Sequence, residues 1–185
     1  MRLFVSIDLP DALAEGVAGV QERFSEADGL SFTDPRQAHV TLKFLGDVDS
    51  DRVSAIEDAL ELTVESDIDF GPFDANIRGL GVFPSLEYIR VVWLGVDEGE
   101  TEMDLLHDAV ESRLYDLEFE PEENEFIPHI TIARMQHAGG KELVQRNVGE
   151  LDPEVGTMEV EEIRLTKSEL TSDGPEYSTV SAFRL

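Results

Sequence analysis

The chain has 185 residues, of which 41 are acidic and 14 basic, so its formal net charge is −27. Because 41% of the residues are hydrophobic and strand-like runs recur, an acidic disordered chain is excluded. The length suffices for one domain or two small lobes with a core, and the absence of cysteine excludes disulfides, a thiol nucleophile and thiolate metal sites.

The first half of the chain alternates predicted strands and amphipathic helices. We expect strands over 3–7 and 38–45, with helices that begin after Pro10 and near Ser50. The apolar residues at helical spacing are Leu13, Val17, Val20 and Phe24 in the first helix, and Val53, Ile56 and Leu60 in the second.

The second half contains more strands and two more helices. The predicted strands span 70–80, 88–96, 126–134, 157–170 and 178–185, and the predicted helices begin near 101 and 141. We expect three notable connections between them: a loop over 79–85, an acidic segment over 118–125 and a turn over 171–175. The order strand, helix, motif strand, helix occurs twice, which indicates an internal duplication with two similar lobes. Strands and helices mixed in this way favour an α+β fold with antiparallel sheets over a doubly wound parallel sheet.

Two copies of one pattern carry most of the functional information: His39-Val40-Thr41-Leu42 and His129-Ile130-Thr131-Ile132. Side chains alternate along a strand, so each copy places its histidine and threonine on one face and its aliphatic residues on the other. By chance, two of the four histidines would be followed by threonine at this spacing in about 1.5% of such sequences. The alternative is a pair of half-buried structural histidines in strands.

The blocks around the two copies resemble a known family. They are 2–10 (RLFVSIDLP), 39–46 (HVTLKFLG), 79–84 (GLGVFP), 92–96 (VWLGV), 128–134 (PHITIAR) and 174–177 (GPEY). The paired motifs resemble those of the 2H phosphoesterases. The surrounding blocks are similar to the RNA 2′,3′-cyclic phosphodiesterase branch, also called the LigT or 2′-5′ RNA ligase family.

The resemblance implies one bilobal domain over 1–185, with an antiparallel sheet and outer helices in each lobe and a motif on either side of a central cleft. It also implies hydrolysis of RNA 2′,3′-cyclic phosphate ends to 2′-phosphates. In that reaction His39 would be the proton donor and His129 the proton acceptor, and Thr41 and Thr131 would bind the phosphate oxygens. The residues alone do not decide which histidine is the acid.

Four further residues are candidates for substrate binding. Arg134 follows the second motif and is expected to contact phosphate or the RNA backbone, unless it is a surface arginine at a strand end. Lys43 is expected on the same strand face as His39 and Thr41, which would bring it to the phosphate. Phe44 and Phe83 are candidates for stacking on a base, with core packing as the alternative for each.

The other aromatic and histidine residues receive no catalytic role. Trp93 lies among aliphatic residues and is expected in the core, while His107 falls within an amphipathic helix and His137 in a loop. The expected mechanism uses no metal and no cofactor. No apolar run is long enough to cross a membrane and the N-terminus is acidic too early for a signal peptide, so we expect a soluble, cytoplasmic protein. We expect a monomer, because repulsion between such acidic surfaces disfavours association unless salt screens it.

Three alternative functions stay open on the sequence. The same site would support the reverse reaction, ligation of RNA ends into a 2′-5′ linkage, without any new residue. The substrate would otherwise be a small cyclic nucleotide or a 2′-5′ oligonucleotide. A non-catalytic RNA-binding module is a third alternative, against which the intact histidine and threonine of both motifs argue.

The charge predicts an unusual dependence of stability on salt. Only three of the basic residues are lysine, and this lysine-poor acidic composition resembles that of haloarchaeal proteins. Molar salt screens the repulsion within such a chain. We therefore predict that the fold is lost on dialysis from molar KCl into about 0.1 M NaCl. Thermal melting followed by circular dichroism would measure this, and an unchanged melting temperature would contradict the prediction.

Overall fold

Nine strands and four helices make up the computed structural model, which describes residues 1–185. The strands are β1 (Arg2–Asp8), β2 (Leu30–Phe32), β3 (His39–Asp47), β4 (Phe73–Pro84), β5 (Ile89–Val96), β6 (His129–Met135), β7 (Glu154–Val160), β8 (Glu162–Thr171) and β9 (Gly174–Arg184). The helices are α1 (Ala14–Glu22), α2 (Val53–Leu62), α3 (Glu100–Tyr115) and α4 (Lys141–Glu150). None of these helices has the length and hydropathy needed to cross a bilayer.

The strands form two sheets in which every pairing is antiparallel. One sheet has the order β3-β1-β8-β9 and the other the order β2-β6-β5-β4-β7. The motif strands β3 and β6 contact each other between the sheets. The predicted α+β fold with two antiparallel lobes is therefore confirmed.

The two lobes have matching parts but are not consecutive in the chain. The unit strand, helix, motif strand occurs as β1-α1-β3, with the short β2 between α1 and β3, and again as β5-α3-β6. Each connecting helix packs on the opposite sheet, because α1 contacts β6 and β7 whereas α3 contacts β3. Helix α2 contacts β9, and α4 contacts β4. We call α1 and α3 the exchanged helices, because each follows a strand of one sheet and packs against the other sheet. The exchanged helices thereby connect the two lobes.

Several predicted elements differ from the structure, including the strands expected from 126 and from 178, which begin at His129 and Gly174. The segment expected as a loop over 79–85 is mostly the end of β4, which pairs with β5 as far as Pro84. The single strand expected over 157–170 is two strands in different sheets, since Val160 pairs with Phe73 and Glu162 with Arg184. Strand β2 was missed because three residues are too few for an alternating pattern to be recognised.

The predicted position of Lys43 was also wrong. In the pairing of β3 with β1, Thr41 lies opposite Ser6 and Lys43 opposite Val5, so Leu42 is an extra residue that forms a β-bulge. The bulge reverses the alternation of faces and turns Lys43 away from the motif face. Its side chain is only 1% exposed, and Nζ lies 2.8 Å from Oε1 of Glu111, with which it forms a salt bridge.

The ammonium group of Lys43 has two hydrogen-bond partners in this buried position. Besides its salt bridge to Glu111, it donates a hydrogen bond of 2.9 Å to the carbonyl oxygen of Glu120. A buried charge must have such partners, because an uncompensated one is costly. Lys43 is therefore a structural link between β3, α3 and the connection that follows α3.

This buried pair generates a stability prediction. Glu111→Ala would leave Lys43 buried without its counter-charge, so the free energy of unfolding should fall by about 2 kcal/mol or more. Lys43→Met keeps an unbranched side chain without the charge and should cost less. Urea unfolding in molar KCl would measure both changes.

A control for this experiment is the exposed pair of Arg78 and Asp152, whose closest atoms are 2.6 Å apart. Exposed ion pairs contribute little because water and salt screen them. Asp152→Ala should therefore leave the unfolding midpoint unchanged. Equal effects of Asp152→Ala and Glu111→Ala would contradict the structural role of the buried pair.

Candidate active site

The two motifs meet where the sheets face each other. His39 and His129 begin β3 and β6, and both are half-buried, as are Thr41 and Thr131. The aliphatic residues of both motifs are fully buried in the core: Val40, Leu42, Ile130 and Ile132. The structure thus brings the two histidine-threonine pairs to the facing sides of the two sheets.

Both histidine rings are held in the same way. Nδ1 of His39 donates to the carbonyl oxygen of Gln37 over 2.9 Å, and Nδ1 of His129 donates to that of Ile127 over 2.6 Å. A carbonyl oxygen only accepts, so the bonded ring nitrogen carries the proton. In the neutral ring Nε2 is then the unprotonated nitrogen, and this is the atom available to accept or deliver a proton.

Aromatic side chains fix the orientation of each ring. The neighbouring ring centroids lie 5.0 Å (Phe4) and 5.1 Å (Tyr177) from His39, and 4.8 Å (Phe83) and 5.9 Å (Trp93) from His129. Tyr177 and Phe83 both meet their histidine edge to face. These contacts limit rotation of the imidazoles and exclude water from part of each ring.

The second motif strand, β6, also has a β-bulge, so the two motif strands share an irregularity as well as a sequence pattern. In the pairing of β6 with β5, Thr131 lies opposite Trp93 and Ala133 opposite Val92, so Ile132 is the extra residue. It occupies the same place in β6 as Leu42 in β3. The sequence shows no sign of either bulge, because a bulge is a property of the strand pair.

Buried side chains from the exchanged helices bind the backbone at both bulges. Nδ1 of His107 on α3 donates to the carbonyl oxygen of Leu42 over 2.8 Å, and Nε2 of Gln21 on α1 donates to that of Ile132 over 3.0 Å. The ring of His107 also stacks on Phe126, with the centroids 4.1 Å apart. His107 therefore has a structural role beneath the site, in keeping with the absence of a catalytic assignment from the sequence.

The bulges decide which residues return to the motif face. After the bulge Lys43 and Ala133 are buried, whereas Phe44 and Arg134 are exposed. Phe44 is 62% exposed. Arg134 forms no salt bridge, and its guanidinium group is close enough to influence both motif histidines electrostatically.

Burial and charge set the proton affinity of the histidines. Burial is the largest effect and lowers the pKa of both His39 and His129 below the ordinary value, while the carbonyl bonded to each Nδ1 acts in the opposite direction. Arg134 lowers both pKa values. Asp8 raises the pKa of His39, whereas His39 itself lowers that of His129.

Two cavities open beside the histidines. One of about 670 Å³ is bounded by His39, Tyr177 and Asp8. The other, of about 490 Å³, is bounded by His129 and Thr41 and by the aromatic rings of Phe44, Phe83 and Phe126. Phe44 and Phe83, which belong to different sheets, are thus brought together. Lys43 also borders this cavity, but its ammonium group is bound to Glu111 and Glu120.

Sequence reasoning missed several residues at the site. Tyr177 and Phe4 were within the recognised blocks, but only the fold shows that both contact His39. Trp93, expected in the core, is only half-buried and lies beside His129. Its ring covers Gly81 of β4, where a Cβ atom would overlap the indole ring.

The contact of Gly81 with Trp93 yields a prediction. Gly81→Ala should displace the indole ring and lower the free energy of unfolding by about 1 to 3 kcal/mol, the usual cost of overpacking. Trp93 is the only tryptophan, so its fluorescence emission reports the displacement directly. Gly19→Ala is the control, because no atom lies within 4 Å of a Cβ there. An unchanged spectrum and stability in Gly81→Ala would contradict the packing described.

Comparison with known proteins identifies the family. A family model described as the 2′-5′ RNA ligase superfamily matches residues 9–171. A protein named RNA 2′,3′-cyclic phosphodiesterase from Methanothermobacter thermautotrophicus is 38% identical, over 100% of this chain and 99% of its own length. A protein of the same name from Archaeoglobus fulgidus is 34% identical, over 99% of this chain and 99% of its own length.

Solved structures have the same architecture. The protein TT0787 of Thermus thermophilus superimposes with a TM-score of 0.82 at 26% identity, covering 100% of this chain and 98% of that one. E. coli LigT complexed with 3′-AMP has a TM-score of 0.81 over 100% of this chain and 97% of its own. At 23% identity this second likeness shows the fold alone. The family match and the full-length relatives show that the chain belongs to the 2′-5′ RNA ligase superfamily, as its sequence blocks indicated.

Proposed function

We propose that the protein hydrolyses RNA ends that bear a 2′,3′-cyclic phosphate and leaves a 2′-phosphate. The observation that carries this proposal is the matched pair of histidines, each with Nδ1 bonded to a backbone carbonyl and Nε2 available for proton transfer. The relatives with 38% and 34% identity are named for this activity. Their shared name favours hydrolysis over the ligase, small-nucleotide and pure binding alternatives.

The reaction needs one base and one acid on opposite sides of phosphorus. Nε2 of neutral His129 takes a proton from water as the water oxygen attacks phosphorus. The bond from phosphorus to the 3′ oxygen then breaks, and protonated His39 delivers its Nε2 proton to that oxygen. The product is a 2′-phosphate beside a free 3′-hydroxyl, and proton exchange with solvent restores both rings.

The remaining motif residues would stabilise the charge that develops on the phosphate. The hydroxyls of Thr41 and Thr131 lie two residues after the histidines on the same faces, where they would donate to non-bridging oxygens. The guanidinium of Arg134 adds positive charge close to both imidazoles. With these groups the chain supplies acid, base and charge stabilisation, so we propose that catalysis is metal-independent and needs no cofactor.

The cavity bounded by Phe44, Phe83 and Phe126 is the proposed binding position of a nucleobase of the RNA. Phe44 from one sheet and Phe83 from the other border the cavity of about 490 Å³ next to His129 and Thr41. Aromatic faces stack on unpaired bases with little dependence on sequence. This arrangement suits recognition of a single terminal nucleotide.

The net charge restricts how RNA is bound. Tight binding of a long RNA normally requires a basic surface, which a net charge of −27 disfavours. We therefore propose that the enzyme recognises the RNA end alone. Repulsion between such acidic surfaces also disfavours association, so we propose that residues 1–185 act as a monomeric, bilobal, cytoplasmic enzyme.

The central experiment is an assay with 2′,3′-cyclic-phosphate-ended RNA and with mononucleotides, in molar KCl and EDTA, with 2′- and 3′-phosphate products resolved. We expect 2′-phosphate ends, and a loss of turnover of at least about 100-fold in His39→Ala and in His129→Ala. His137→Ala is the matched control, since His137 is exposed in the loop after β6. Near wild-type turnover in either motif variant, or abolition by EDTA, would refute the mechanism.

A further inference from the structure

The two catalytic histidines differ in the residue that lies opposite each of them in its sheet. In the pairing of β1 with β3, Asp8 is the partner of His39. In the corresponding pairing of β5 with β6, Gly95 is the partner of His129. Directly opposite residues of antiparallel strands have side chains on the same face, about 5 Å apart at Cβ. A carboxylate therefore accompanies His39, and no side chain accompanies His129 from the equivalent position.

Hydrogen bonds fix the carboxylate of Asp8 on both oxygens. Oδ1 accepts from the hydroxyl of Ser6 over 2.9 Å, and Oδ2 accepts from Nη1 of Arg164 over 3.0 Å. Ser6 is fully buried, and its hydroxyl also lies 2.9 Å from that of buried Thr166. Arg164 is held in turn by Glu162. The negative charge is thus held in place by side chains of two neighbouring strands, β1 and β8.

We propose that Asp8 is a positioning residue that favours protonation of His39 over protonation of His129 and so assigns His39 the acid role, while Gly95 leaves His129 free to act as the base. This inference rests on the proposed function, which needs one histidine of each kind. The motif residues and the Nδ1 hydrogen bonds are the same for His39 and His129, so they cannot make the two histidines differ. The pair of Asp8 and Gly95 supplies this difference.

The groups nearest His39 are Asp8 on β1, Tyr177 on β9, and Arg134 and His129 on β6, with Arg164 on β8 beyond the carboxylate. The cavity beside His39 is also bounded by the carboxylates of Asp11, Glu159, Glu161 and Glu162 and by Arg36 and Arg184. Of these carboxylates, Asp8 is the one that lies opposite His39 and raises its pKa. Asp8 accordingly raises the pKa of His39 against the larger lowering effect of burial, whereas the charges that act on His129 all lower its pKa.

The test is a comparison of Asp8→Asn with the wild-type protein in molar KCl. The amide of Asp8→Asn can still accept from Ser6, so the fold should persist, and thermal melting would verify this. The chain has only four histidines, whose ring protons can be titrated by NMR and assigned through single substitutions. We expect the pKa of His39 to fall and that of His129 to stay.

The same change should appear in the pH profile of the reaction. A general acid must be protonated, so a lower pKa of His39 moves the alkaline limb of kcat/KM to lower pH. We expect a loss of about threefold to tenfold on the alkaline side and a smaller loss on the acidic side. Asp8→Glu, which keeps the charge, should retain most of the wild-type profile.

Asp11→Asn is the matched control. Asp11 borders the same cavity as Asp8 but forms no side-chain hydrogen bond or salt bridge, and the substitution also removes one negative charge. An unchanged His39 titration in Asp8→Asn, or an equal shift in Asp11→Asn, would overturn the proposal.

If the wild-type protein does not hydrolyse cyclic phosphate ends, the proposed function fails, yet the NMR titration still tests the effect of Asp8 on His39. If Asp8→Asn does not fold, the titration of Asp8→Ser decides in its place.

Discussion

The site depends on a β-bulge in each motif strand, held by a buried side chain from a helix. An uninterrupted strand would place residues at spacing two on one face, which would add Lys43 and Ala133 to the face of the histidines. The bulges at Leu42 and Ile132 replace them with Phe44 and Arg134. An aromatic ring and a guanidinium group are thereby added to two histidines and two threonines.

The donors at the bulges explain why the lobes exchange their helices. Gln21 of α1 reaches Ile132 in the second sheet, and His107 of α3 reaches Leu42 in the first. Each helix follows a strand of one sheet and supports the motif strand of the other. A shift of one lobe would therefore disturb the bulge in its partner, so the exchange couples the placement of the two motifs.

Much of this could be predicted from the sequence, and apart from the very short β2 the failures share one physical origin. The motif strands and their faces follow from local alternation, and so do the four helices with their apolar stripes. The positions of Lys43 and Asp8 depend on which strand pairs with which, in what register. Similarly, residues 157–170 keep a strand-like pattern while the chain passes from one sheet to the other at Glu161. Local pattern carries no information about such long-range pairing.

Because the two motifs are alike, they cannot by themselves make one histidine protonated and the other neutral. Two imidazoles in identical surroundings would share a proton equally, and in-line displacement needs one protonated and one neutral ring. The asymmetry must come from residues outside the motifs, where the lobes differ: a carboxylate opposite His39 and a glycine opposite His129. A carboxylate opposite both would favour two cations and remove the base. A glycine opposite both would leave burial and Arg134 to favour two neutral rings and remove the acid. In the proposed mechanism, the division of roles is therefore a property of the paired strands β1 and β5, although the proton transfers would take place on β3 and β6.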